Sequence, residues 1–283
     1  VSADRPQSKA LREPMMNPDD LASRLDLATT LVREAGARAM RHFRSTDLVT
    51  ASKGLQDPVT VADREVEAHL VDAIAQRFPG DAVIGEEGGA HGTVGSDTPV
   101  WVIDPIDGTD NFARGLPLWC VSVGVVVGSR AELGLILAPA LDEFYVARRG
   151  HGCTRNGAPV QVSSCSEAGR ARINLGYSRR RPAAGHLQCI ERLLANDFEY
   201  SRLGSGALGL AYVADGRFDG YWESHVNSWD VAAGLCIATE AGAWVSDFLT
   251  GDALHAGNPI LACTPALAAP LRRLLGPLST PAL

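Results

Sequence analysis

Helical apolar stripes that alternate with short apolar runs constrain this chain more than any other feature. Behind Asn17-Pro18-Asp19-Asp20, which reads as a helix start, Leu21, Leu25, Ala28, Leu31, Val32, Ala35 and Ala39 recur at the spacing of one helix face. A second stripe follows Thr60 through Ala62, Val66, Leu70, Ile74 and Phe78, and stops at Phe78-Pro79-Gly80. Then come runs too short for helices and bounded by turn residues: Asp81–Gly85, Val100–Asp104, Val121–Val127, Gly134–Ala138 and Phe144–Arg148 read as strands. Gly150 to Pro159 has the Gly/Asn/Pro content of a turn. Beyond it the alternation resumes, with strands expected at Ile173–Leu175, Glu199–Leu203, Phe218–Trp222, Trp244–Asp247 and Ile260–Cys263. Helices are expected at Ala184–Ala195, Ala207–Asp215, Val231–Ala241 and Ala266–Leu275. Such a pattern belongs to the α/β class, with helix and sheet layers. It divides into a polar leader (residues 1–16, expected to be disordered), an N-terminal lobe (17–160) and a C-terminal lobe (161–283).

Composition narrows the function. Hydrophobic residues make up 46% of the 283 and charged ones 21%, enough apolar surface to bury a core. Against 33 Asp+Glu there are 26 Lys+Arg, a net charge of −7, so a general grip on nucleic acid is not expected. An acidic chain that binds phosphate must do so locally, with a metal or a helix end. The longest apolar run, Val121–Val127, is broken by Ser122 and Gly124 and falls short of the ~20 residues of a membrane span. Six cysteines without a C-x-x-C pair read as reduced thiols of a cytoplasmic protein. Seven dispersed histidines, without H-E-x-x-H, argue against a histidine zinc site.

The chemistry concentrates in Trp101-Val102-Ile103-Asp104-Pro105-Ile106-Asp107-Gly108-Thr109-Asp110-Asn111-Phe112. An apolar strand runs straight into two carboxylates three residues apart. Pro105 is expected to end its hydrogen-bond ladder and Gly108 to allow a tight turn. Asp104, Asp107 and the Ile106 carbonyl can then converge on one point, and oxygen-only ligation suits hard cations, Mg²⁺ above all. Thr109 opens a helical turn whose N–H, with that of Gly108, would face an anion. Two further acidic spots support the same reading. Glu86 and Glu87 follow the apolar run Ala82–Ile84, and Asp230 is expected at the N-cap of the helix from Val231.

These elements resemble the inositol monophosphatase family of Mg²⁺-dependent, lithium-sensitive phosphatases, over roughly Leu21 to Leu271. The W-x-I-D-P-I-D-G-T-x-N-F run is complete, and Trp229-Asp230-Val231-Ala232-Ala233-Gly234 with Glu240-Ala241-Gly242 supplies the second signature. Gly85–Glu87 gives the G-E-E element, and Asp57-Pro58-Val59-Thr60-Val61-Ala62-Asp63 the upstream one. The resemblance implies an αβαβα layered fold, a homodimer, and two or three Mg²⁺ per site. Glu86, Asp104 and the Ile106 carbonyl would hold the first ion, and Asp104, Asp107 and Asp230 the second; a third would lean on Glu86. Thr109 and Asp63 would orient the attacking water. Lys53 would lie on a loop near the phosphate, with Asp107, Gly108 and Thr109 close to it. Ser205 and Gly206, in Gly204-Ser205-Gly206-Ala207, and Glu223 would meet the hydroxyls of the alcohol. Tyr177 stands where some relatives carry serine.

The substrate implied is a small phosphate monoester, inositol 1-phosphate or a similar polyol phosphate, with histidinol phosphate or another sugar or nucleotide phosphate as the alternative. The acid-free Gly-Ser-Gly turn favours a polyol. Gly204-x-Gly206-x-x-Gly209, with Glu223 downstream, also satisfies a dinucleotide fingerprint, so an NAD(P)-dependent oxidoreductase is the rival from a different class. A catalytically silent, partner-binding member of the same fold is a further rival.

Overall fold

The computed structural model describes residues 17–45, 50–54, 57–95, 97–178 and 181–276. The expected leader, residues 1–16, lies outside them.

Helix α1 (Pro18–His42) starts where Asn17 accepts a 3.0 Å hydrogen bond from the Asp19 amide, with proline at the first helical position. A small antiparallel ribbon, β1 (Thr50–Gly54) and β2 (Asp57–Thr60), leads into α2 (Val61–Arg77). The first sheet comprises β3 (Ala82–Gly85), β4 (Gly89–His91), β5 (Val100–Asp107), β6 (Cys120–Val127), β7 (Arg130–Ala138), β8 (Glu143–Arg148), β9 (Cys153–Arg155) and β10 (Ala158–Pro159). Its spatial order is β10-β9-β8-β7-β6-β5-β3-β4, and only the β3–β5 pairing is parallel. A short helix, α3 (Thr109–Ala113), follows β5. The second sheet runs β12-β11-β13-β15-β14, from β11 (Arg172–Leu175), β12 (Glu199–Ser201), β13 (Gly220–Val226), β14 (Trp244–Val245) and β15 (Asn258–Cys263). Its helices are α4 (Ala183–Leu194), α5 (Gly206–Ala214), α6 (Ser228–Glu240), α7 (Ala253–Ala256) and α8 (Ala268–Leu275).

Side-chain alternation assigns the layers. Trp101 and Ile103 of β5 join α1 and α2 in one buried cluster, while Val100 and Val102 face Ala232 of α6. Tyr221, Ile260 and Ala262 of the second sheet pack with α5, α6 and Ile136 and Tyr145 of the first. Ile173, Trp222 and Leu261 face α4 and α8. The order is therefore α1/α2, sheet, α5/α6, sheet, α4/α8, as expected of a layered α/β chain. A central core of side chains from both sheets spans residues 120 to 262.

One contact positions the site. Gly124 and Gly134 pair across β6 and β7, and α6 lies directly on them. A Cβ on Gly134 would collide with the Ala233 backbone carbonyl, and one on Gly124 would come 2.8 Å from the Ala233 nitrogen. Only glycine lets the helix approach this closely.

Three expectations are corrected. The stretch Gly150 to Pro159 carries the β9–β10 hairpin, which extends the sheet edge instead of forming a plain turn. The ladder of β5 does not end at Pro105 but is interrupted and resumes, with Asp104 opposite Ser122 and Asp107 opposite Cys120. Helix α6 starts three residues early, so Asn227 is the N-cap and Asp230 the N3 residue of a capping box.

Candidate active site

In a regular strand, residues three apart point to opposite faces. Asp104 and Asp107 escape this because three residue steps on β5 span only two on β6, a bulge at Pro105-Ile106. Ser122 and Cys120 share a face, and so do the aspartates opposite them. Asp104 secures the bulge by accepting a 3.0 Å bond from the Ile106 amide. The Ile106 carbonyl accepts from the Thr109 hydroxyl at 3.0 Å, which turns the chain over Gly108 at a positive φ of 94°. Asn111 then donates to the Leu118 and Leu203 carbonyls at 2.7 and 2.9 Å, pinning the motif against the turn before α5.

Asp107 reaches across to the second sheet's helices. Its Oδ2 accepts from the Ser205 hydroxyl at 2.6 Å and the Ala207 amide at 2.7 Å, and Oδ1 from the Gly206 amide at 3.3 Å. It thereby satisfies the open amides at the start of α5, where a helix favours negative charge. Asp230 is set by its own capping box, accepting from the Asn227 amide at 3.1 Å. Asp104, Asp107 and Asp230 each offer a carboxylate oxygen within 4.8 Å of the others. Glu86 stands outside that group of three, on the β3–β4 turn, but its charge reaches both Asp104 and Asp230.

At the edge of the cluster Thr109 also faces Asp63, Oγ1 to Oδ1 at 3.3 Å. Asp63 is fully buried and locked by Thr60, whose amide and hydroxyl donate at 2.8 and 2.5 Å to Oδ2. One turn further along α2, Glu67 is buried too and accepts from the Glu87 amide at 2.9 Å and from the Gly88 amide. Sequence reasoning passed over Glu67. Its i+4 spacing from Asp63 on the buried helix face is the signal that could have found it.

A model of the inositol monophosphatase family matches residues 20–275. The Nus factor SuhB of Escherichia coli is 37% identical over 246 residues, covering 83% of this chain and 91% of that protein. Among solved structures, the extragenic suppressor protein suhB from Bartonella henselae superposes with a TM-score of 0.81 at 29% identity, covering 89% of this chain and 98% of that one. The inositol monophosphatase from Anabaena gives 0.79 at 33%, covering 90% and 96%. The chain belongs to the inositol monophosphatase family.

Family membership and fold support a phosphatase, and the donor set fits a metal. Burial pushes Asp104 well above the usual carboxylate range, and Glu86, Asp107 and Asp230 push it further. Asp230 is raised in the same way, by burial and then by Asp107 and Glu86. Asp107 is also raised by burial, against the opposing pull of its bonds to Ser205, Ala207 and Gly206. Asp63 is raised chiefly by burial. Acids crowded in a low-dielectric site need positive charge to ionise together, and an all-oxygen cluster of this size suits a hard cation.

Of the remaining expected residues, Ser205, Gly206 and Glu223 adjoin this cluster. Ser205 is the buried N-cap of α5 and Gly206 its first residue, both turned to Asp107. Glu223, on β13, is buried and accepts a 2.6 Å bond from Tyr221, a residue sequence reasoning did not single out. Tyr177 packs against His186 at a tilt of 48°, ring centroids 4.9 Å apart. Lys53 is part of β1, but its side chain lies outside the described residues. No described helix is long and apolar enough to cross a membrane. In this inositol monophosphatase fold the dinucleotide rival loses its phosphate seat: the α5 amides that would cradle a pyrophosphate are taken by Asp107.

Proposed function

We propose that this chain is a Mg²⁺-dependent phosphatase of small phosphate monoesters, with inositol 1-phosphate or a similar polyol phosphate as its substrate. The observation that carries the reading is the group of three carboxylates within 4.8 Å, bordered by the Thr109–Asp63 pair. Asp104, Asp107, Asp230, Glu86 and the Ile106 carbonyl would hold Mg²⁺, which neutralises phosphate oxygens and makes a bound water more acidic. Thr109 would turn its one hydroxyl proton from the Ile106 carbonyl to Asp63 Oδ1, 3.3 Å away, leaving its oxygen to accept from the attacking water. Glu223 would accept from a hydroxyl of the alcohol, and the absence of an acid in Gly204-Ser205-Gly206 favours a polyol over an amine.

Relatives named Nus factor SuhB prompt the other reading, a partner-binding member of the fold. The complete set of expected acids favours catalysis. The test is phosphate release from inositol 1-phosphate, histidinol phosphate, fructose bisphosphate and phosphoadenosine phosphate, with and without Mg²⁺. Release that requires Mg²⁺ and ranks the inositol ester first supports the proposal; no release from any of them overturns it.

A further inference from the structure

The glycine fingerprint needs another explanation once Asp107 occupies the helix start it would have offered to a nucleotide. Around Tyr221 and Glu223 three glycines from two elements converge. A Cβ on Gly176, just past β11, would collide with Glu223 Oε2 and lie 2.7 Å from the Tyr221 hydroxyl. One on Gly209 would fall 2.6 Å from the Tyr221 ring, and one on Gly206 would come 3.1 Å from its hydroxyl and 3.5 Å from the Asp230 Cβ. Two glycines of the G-x-G-x-x-G therefore clear space for a tyrosine, and the third clearance comes from the chain just past β11.

The tyrosine so seated is almost fully buried, and its hydroxyl donates to Glu223 Oε2 at 2.6 Å. In that bond the phenol is the donor and the carboxylate oxygen the acceptor. At 2.6 Å between two buried side chains the bond is short, and it sets the rotation of the carboxylate. Glu223 follows Tyr221 by two residues, on the same face of β13, and its charge is felt by Asp230. The pair thus links the wall of the alcohol pocket to the cation-binding acids.

We propose that Tyr221 is a positioning residue that aims Glu223 at the substrate's hydroxyls, in a socket made by Gly176, Gly206 and Gly209. This rests on the polyol-phosphatase reading above. It places Tyr221 outside the bond-breaking step and inside substrate selection.

The test compares wild type, Tyr221→Phe and Gly176→Ala with inositol 1-phosphate and with p-nitrophenyl phosphate, which has no hydroxyls to select. Tyr221→Phe keeps the ring and removes one hydrogen bond. We expect KM for the inositol ester to rise about tenfold with kcat within about twofold, while p-nitrophenyl phosphate is unaffected. Gly176→Ala should give the same split by displacing the carboxylate directly. Equal losses on both substrates, or none on either, overturn the proposal. A crystal structure of Tyr221→Phe supplies a readout independent of turnover: an unmoved Glu223 carboxylate also overturns it. Should wild type hydrolyse neither ester, the phosphatase reading fails, and the crystallographic comparison still decides whether Tyr221 holds Glu223.

Discussion

Ser205 donates a 2.6 Å hydrogen bond to Asp107 although 98 residues separate them in the chain. The bond joins the end of a strand in the first sheet to the start of a helix under the second. Asp107 has two tasks in consequence: it caps α5, and it offers oxygen to the acidic cluster.

Ser205→Ala should therefore show both a folding effect and a metal effect. Loss of an N-cap hydroxyl costs about 1 kcal/mol, or roughly 2–4 °C in a chain of this size. The Mg²⁺ concentration for half-maximal phosphate release should rise as well, because Asp107 is held less firmly. Thermal denaturation and a Mg²⁺ titration measure the two, and an unchanged titration midpoint would separate the cap from the site.

Asp104→Asn should abolish function and stabilise the metal-free fold. The amide cannot supply the charge that anchors cations, so phosphate release should fall by about a hundredfold or more. The same change replaces a buried carboxyl, whose ionisation is opposed by burial and by Glu86, Asp107 and Asp230, with a group that never ionises. In EDTA the variant should melt above wild type, and a lower melting temperature would contradict this account of the cluster.

The pH dependence follows from the direction of the shifts. Asp63, Asp104, Asp107 and Asp230 all bind protons more tightly folded than unfolded. From the ordinary carboxylate pKa near ~4 upward, the folded state then carries more protons, so these groups make stability fall as pH rises. Below that range the contribution is fully present. Urea denaturation in EDTA should give a less stable protein at about pH 8 than at about pH 5, and Mg²⁺ should recover more stability at the higher pH. A metal-free protein equally stable at both would refute the reading.

Glycine substitutions should divide by what they meet. Gly134→Ala drives a methyl into the Ala233 carbonyl and should cost at least about 1–3 kcal/mol, with loss of activity as α6 and Asp230 shift. Gly185→Ala, on α4 with open space around it, should stabilise by about 0.5–1 kcal/mol. Chemical denaturation of the two variants checks the contrast.

Glu223→Gln should change the ranking of phosphate esters more than the maximal rate. If inositol 1-phosphate keeps its place relative to p-nitrophenyl phosphate, Glu223 serves the scaffold alone.

The layers were legible because buried faces leave a period in the chain: the stripes of α1 and α2 and the apolar runs of β3, β5 and β6 each match an element. The acids were legible because Asp104, Asp107 and Glu86 each close an apolar run. Less was legible wherever partner strands decide the outcome. The bulge at Pro105-Ile106 depends on registration with Cys120 and Ser122, which no single strand announces. The start of α6 was placed late because apolar periodicity begins at Val231, although Asn227-x-x-Asp230 carries the spacing of a capping box. Glu67 was missed because its carboxylate turns toward the Glu87 and Gly88 amides, remote in sequence, and Tyr221 because the glycines that seat it come from other parts of the chain.

The bulge in β5 has a dynamic corollary. Its aspartates hang from backbone that stays laddered to β6, just past the last pairing with β3 at Ile103, instead of from a free rim. Arriving ions meet oxygens whose freedom was already spent when the sheet assembled, so docking them should leave amide exchange in β5 nearly unaltered, with any protection gained confined to the Glu86 turn and the edges of the cleft.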